Sequence, residues 1–416
     1  MSEQQLFNSQ SQPIPPLRRD LQVFPVEEDG QSYLYFHDQQ GYATPELALH
    51  KQAGTVLNLI DGERSINDLE PFLGQNLSKD DLLEFIQFLD KNRLLQSTHF
   101  KKHAQKTEET YEQSTIHQSV TAGGSYPANP EELKTYLDEA FNKHTSQTNG
   151  RDKKAKALYA PHIDPRVAID SYVQAFAPIK ELKPKRVVVL ATSHYASLYP
   201  DIYRDNPFVL VNKDFELPLA TISRDQEAIS EFQNTNGEHG ITTQDRAHRM
   251  EHSIELHLLF LSYLWDHDFS VVPFLTRGLD DLYYMEDGHL GQQLQNFSTL
   301  LRNKYAKDED TFFLISGDLA HIGKKFGDSS AASTMFDDVK KFDKQFLDHG
   351  ANQRRRQMLE LMKEEMDSFR ICGFPPLYTF LETIPNLEGE VLSYDLWDEQ
   401  ERESAVTFGS ILYRQP

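Results

Sequence analysis

The stretch Arg186-Val-Val-Val-Leu-Ala-Thr-Ser-His194 is an apolar run that stops at a small polar turn carrying a histidine. Its apolar residues are continuous and largely β-branched rather than alternating, which is what a parallel strand covered on both faces by helices requires. Ala157-Leu-Tyr-Ala-Pro-His162-Ile-Asp164 and Thr311-Phe-Phe-Leu-Ile-Ser-Gly-Asp318-Leu-Ala-His321 repeat the design, each breaking at Pro or Gly and then presenting His and Asp. Reacting groups gather beyond the carboxyl ends of the strands in an open α/β sheet, so three such endings are expected to converge on one crevice. The expected fold is α/β, a mostly parallel central sheet with helices on both faces, preceded by a small α+β domain.

A chain of 416 residues buries a sizeable core in two or three domains. Its formal net charge of -22 repels a phosphate backbone, and Arg354-Arg355-Arg356, set among acidic helical residues, reads as a solvated face rather than a nucleic-acid patch. A single cysteine, Cys372, excludes an internal disulfide framework and suits a reducing compartment. The amino terminus lacks a basic region followed by an apolar core, and no apolar run approaches the ~20 residues that span a bilayer. A cytoplasmic protein with no nucleic-acid or membrane partner is expected.

Residues 1–20 are polar and proline-containing and read as a disordered arm. Residues 21–98 form a compact unit with strand-like Ser32-Tyr-Leu-Tyr-Phe36 and a helix carrying Leu49, Val56, Leu57 and Ile60. Two further helices start at Ser65-Ile-Asn-Asp68 and Ser78-Lys-Asp-Asp81, each a hydroxyl followed three residues on by a carboxylate. Three short helices with flanking strands suggest a winged-helix module whose acidic last helix suits protein contacts better than a DNA groove. Residues 99–120, polar and poor in apolar side chains, read as a linker, and 121–416 as the second domain. There a helix is expected over 251–265.

Four candidate residues follow from the strand ends: His162, His194, Asp318 and His321. Histidine and aspartate at converging loops suit a metal site, with Asp318 either orienting a ligating imidazole or capping the next segment. In Glu251-His252-Ser-Ile-Glu255-Leu-His257 the histidines are five apart, so the zinc-protease spacing of four is absent. His252 at a helix amino end reads as acid, base or oxyanion donor. Cys372 reads as a small buried apolar residue.

Taken in order, Gly124-Ser125-Tyr126-Pro127, Ala160-Pro161-His162, Thr192-Ser193-His194, Glu251-His252-Ser253-Ile254-Glu255, Ser316-Gly317-Asp318-Leu319 and Cys372-Gly373 resemble the Memo family over about 121–416. Bacterial members carry the label AmmeMemoRadiSam system protein B. The family is similar in fold to the class III extradiol dioxygenases, whose non-haem iron is held by two histidines and a carboxylate. The resemblance implies a redox-active metal, iron or copper with zinc as a further candidate, bound by His162 and His194, with His252 alongside. His321 is taken as the third ligand, with Asp318 and His252 as the other candidates, and His252 and Asp318 are taken as the catalytic pair. Animal members place a cysteine where this chain has Ala320, and the family's His-Ala-Gly-Tyr is here His162-Ile-Asp-Pro165. The residues 21–98 resemble PqqD-type modules, which bind peptides in modification systems. The implied function is a metal-dependent oxidoreductase of the dioxygenase type acting on a small molecule or peptide; the alternatives are a non-catalytic adaptor and a metal-dependent hydrolase. Family neighbours imply radical-SAM and AMMECR-type partners.

Overall fold

A computed structural model describes residues 5–72, 78–143, 154–235 and 237–416. The chain divides into two compact units, Met1–Gln113 and Ser114–Pro416.

In the first unit the strands Leu21–Glu28 and Gln31–Asp38 form an antiparallel hairpin, joined by Ala48–His50 on the far side of the second. Asp29 and Gly30 both have positive φ, the conformation a two-residue turn needs to match the strand twist. Leu49 lies in that third strand, not in a helix, since backbone pairing with Leu34 claims it. The two capping boxes form as expected: Ser65 with Asp68 and Ser78 with Asp81 each bond reciprocally. The described part of the expected arm is ordered. Ile14 and Arg18 are buried, Arg18 bonds Asp20 and Asp38, and backbone bonds tie Ile14 to Arg64 and Arg18 to Leu94. The segment from Thr98 to Gln113 is a helix rather than a linker, because its polar residues are mostly good helix formers and Ser97 caps the amide of Phe100, whose ring is buried.

The second unit is a mixed sheet with helices on both faces. Its central strands are β1 (Ala155–Ala160), β2 (Arg186–Thr192), β3 (Ser270–Thr276) and β4 (Thr311–Ser316), followed by the hairpin β5 (Glu388–Glu399) and β6 (Ser404–Arg414). The order β6, β1, β4, β2, β3 makes the four central strands parallel, with β6 antiparallel to β1 and β5 antiparallel to β6. Alternate residues of each strand enter opposite cores. Tyr159, Val188, Leu190, Phe313 and Ile315 pack on one side, and Leu158, Val187, Val189, Phe312 and Leu314 on the other. Burial on both faces explains the unbroken apolar runs.

Because β4 lies between β1 and β2, the three stretches that define the sequence pattern are neighbours. Their ends are level: Ser316 pairs with Ala160 on one side and Ala191 on the other. The loops after β1, β4 and β2 therefore leave the sheet at one place. Among the described residues no helix is long and apolar enough to cross a membrane.

Candidate metal centre

Beyond those strand ends, Gly317 and Gly373 let two backbones touch. A Cβ on Gly317 would lie 2.2 Å from the Cα of Gly373, and one on Gly373 would lie 2.2 Å from the Tyr159 hydroxyl. This close approach carries Cys372 to the end of β4. There the amide of Asp318 points at its Sγ at 3.2 Å, and the Thr192 hydroxyl donates to its carbonyl at 2.6 Å.

One donor atom from each of His162, His194 and Cys372 lies within 4.8 Å of the others. His162 Nε2 is 3.3 Å from the Cys372 sulfur, while its Nδ1 is 3.0 Å from Ser316 Oγ. His194 donates from Nδ1 to Glu251 at 2.9 Å, which leaves Nε2 as the nitrogen that faces Cys372. His252 joins His194 and Glu251 in a second group, its ring parallel to that of His194 with centroids 5.1 Å apart. His162 forms the closed side of the site with 2% side-chain exposure, whereas His194 and His252 each keep 31% and form its mouth.

Glu251 organises that mouth. It is fully buried and accepts from the amides of His194, His252 and Ser253 as well as the His194 ring. By spending itself on these amides it replaces the first turn of a helix, so α1 (Glu255–Leu264) begins four residues later than its sequence suggests. His252 precedes that helix and shares no face with Glu255. The Glu255 carboxylate instead bonds Val120, Thr121 and Tyr126, tying down the Gly-Ser-Tyr-Pro segment. Asp318 accepts the amides of His162 and Ile163 on one oxygen, at 2.9 and 3.2 Å. His321 donates from Nδ1 toward the carbonyls of Leu319 and Arg370 and groups with Asp318 and Cys372.

Electrostatics separates these groups. Burial opposes charge on Glu251, but the attraction and hydrogen bond of His194 win and hold its carboxyl down at about 2. Burial likewise opposes charge on His194, and Glu251 outweighs it, raising His194 above its ordinary value; the ring's partial exposure lets water screen part of that gain. Burial pushes His252 down to about 4, helped by His194, so it is neutral near pH 7. Burial lifts the Asp318 carboxyl to about 7 against the pull of its amide donors.

The structure thus brings His162, His194 and His252 together, as the sequence pattern anticipates, with Asp318 Oδ2 3.7 Å from His162 Nε2 and His321 grouped with Asp318 and Cys372. Cys372, expected only to pack as a small apolar residue, instead faces His162 at 3.3 Å, and Glu251 carried no role in the sequence pattern. For Glu251 the available signal was a carboxylate directly before His252 at the start of the expected helix. Ala320, where a cysteine stands in animal members, is fully buried, and its amide donates to Thr407.

The family profile described as Memo-like protein matches residues 117–412, which contain every residue of this site. The chain is 29% identical to a MEMO1 family protein of Aquifex aeolicus over 379 residues, covering 89% of this chain and 92% of the relative. Coverage of that extent runs into the first unit. It is 26% identical to a MEMO1 family protein of Thermus thermophilus, covering 70% of this chain and 80% of the relative. It is 23% identical to the memo-1 homolog of Caenorhabditis elegans, covering 63% and 69% respectively. With the profile spanning most of the chain and the whole of this crevice, the chain belongs to the Memo family.

Proposed function

We propose that the crevice holds one redox-active ion, iron or copper, through His162, His194 and Cys372, and that the protein is a metal-dependent oxidoreductase. The observation that carries this reading is the convergence of two imidazoles and one sulfur at the level ends of neighbouring strands. The donor set fits such an ion. His194 has its far nitrogen anchored on a carboxylate, as ligating histidines commonly do, and Cys372, whose thiol burial pushes up, would give its proton up on binding to add the soft donor that Ala320 withholds. Cys372 therefore takes the place assigned to His321 from the sequence.

When bound, such an ion supplies one-electron chemistry and polarises a coordinated substrate. His252, neutral and at the mouth, takes a proton from a substrate entering there. Asp318, whose carboxyl lies near 7, holds a proton that it releases close to neutral pH. Two acid-base groups with their affinities pushed apart are the arrangement that proton-coupled oxidation needs.

The same proposal carries the kinship to the class III extradiol dioxygenases, a PqqD-like peptide-binding role for the first unit, and radical-SAM and AMMECR-type partners. Anaerobic loading with copper or iron tests the metal reading. A sulfur-to-metal absorption band should appear and should vanish in Cys372→Ser; an unchanged spectrum in that variant sinks Cys372 as a ligand. An adaptor would keep its partner binding in His252→Ala and show no metal-dependent turnover to lose.

A further inference from the structure

The three imidazoles that face Cys372 differ in what fixes their protons. His194 donates to a carboxylate and His321 to backbone carbonyls, groups that only accept. His162 faces a hydroxyl, which can play either part. The surrounding bonds remove that freedom. The Ser316 hydroxyl lies 2.6 Å from the carbonyl of Ser253, and since a carbonyl has no proton to give, Ser316 must donate its only one there. Ser253 in turn spends its proton on the Thr192 carbonyl at 2.7 Å. All that Ser316 offers His162 is a lone pair.

We infer that Ser316 is a positioning residue that fixes His162 as its Nδ1–H tautomer and thereby leaves the Nε2 lone pair facing Cys372. The competing tautomer would place its proton on Nε2, 3.3 Å from the sulfur, and close the position where a cation would sit. The Asp318 carboxylate, 3.7 Å from Nε2, would favour that competing proton, and the closer hydrogen bond to Ser316 at 3.0 Å outweighs it. The consequence for metal affinity rests on the proposed function; the tautomer itself does not. Ser316→Ala should lower affinity roughly 10–100-fold, the effect usual for groups that orient a ligating histidine. Ser253→Ala is the matched control. It removes a buried hydroxyl next door but keeps the backbone carbonyl that orders Ser316.

The test is long-range 1H–15N correlation spectroscopy on metal-free protein labelled at histidine, with the His162 signals assigned by their loss in His162→Gln. Wild type and Ser253→Ala should show the Nδ1–H pattern, and Ser316→Ala the Nε2–H pattern. An Nε2–H pattern in wild type, or an unshifted Nδ1–H pattern in Ser316→Ala, overturns the inference. If Ser316→Ala does not fold, the wild-type pattern decides alone. Failure of wild type to bind copper or iron would instead remove the proposed function and leave the tautomer result standing.

Discussion

At the scale of single residues, the site is built by groups that spend their hydrogen-bonding capacity on orienting others. Glu251→Gln keeps the shape but turns one acceptor into a donor facing amides and the His194 ring. The expected cost is about 1–3 kcal/mol, the usual penalty for leaving a buried polar group unsatisfied. Metal affinity should fall about 10–100-fold as His194 loses its anchor. Thermal melts and chelator competition on the same variant check both, and an unchanged melt would show that Glu251 is not needed to hold the mouth together. His162, His194 and His252 were legible in sequence because each follows a recognisable break in pattern. Cys372 was not, because its partners lie far away in the chain and only the Gly317–Gly373 contact brings it in.

At the scale of elements, the buried parallel strands were legible almost to the residue, since burial on both faces leaves an unambiguous apolar signature. Helix starts were less so. A side chain such as Glu251 can take over amides that a first turn would leave free, and the apolar pattern downstream does not reveal it. The strand-end packing makes its own prediction: Gly373→Ala should destabilise by about 1–3 kcal/mol, because the added methyl meets the Tyr159 hydroxyl at 2.2 Å and the Asp318 carbonyl at 2.7 Å. A melt as high as wild type would mean this junction has slack. A second prediction concerns Asp343 on the helix Phe336–Ala351, fully buried and bonded by Tyr394. Burial raises its carboxyl from 3.8 to about 7. Between about pH 4 and pH 7 the folded protein thus keeps a proton that the unfolded chain has released, so this residue's contribution falls as pH rises through that window. Denaturant titrations should show Asp343→Asn losing less stability than wild type from pH 4 to pH 7. Equal slopes would contradict that sign.

At the scale of the whole molecule, the two units have separate cores, and the family profile covers the second while the Aquifex relative extends into the first. The first unit was the harder one to read. Its amino-terminal segment looks too polar to order itself, and the described residues 5–20 are ordered because Arg18 finds Asp20 and Asp38 and the backbone finds residues 64 and 94–96. Metal binding at the second unit should stabilise the folded chain by mass action, about 2.7 kcal/mol at a metal concentration one hundred times Kd. Chelation should accordingly lower the melting temperature of wild type and leave that of His162→Ala where it was. The most direct test of the account is elemental analysis of untagged protein purified without oxygen, beside the His162→Ala/His194→Ala and Cys372→Ser variants. The account predicts about one iron or copper per chain in wild type, lost from the double variant and reduced in Cys372→Ser. Full metal content in the folded double variant, or none in wild type after anaerobic reconstitution, would contradict it.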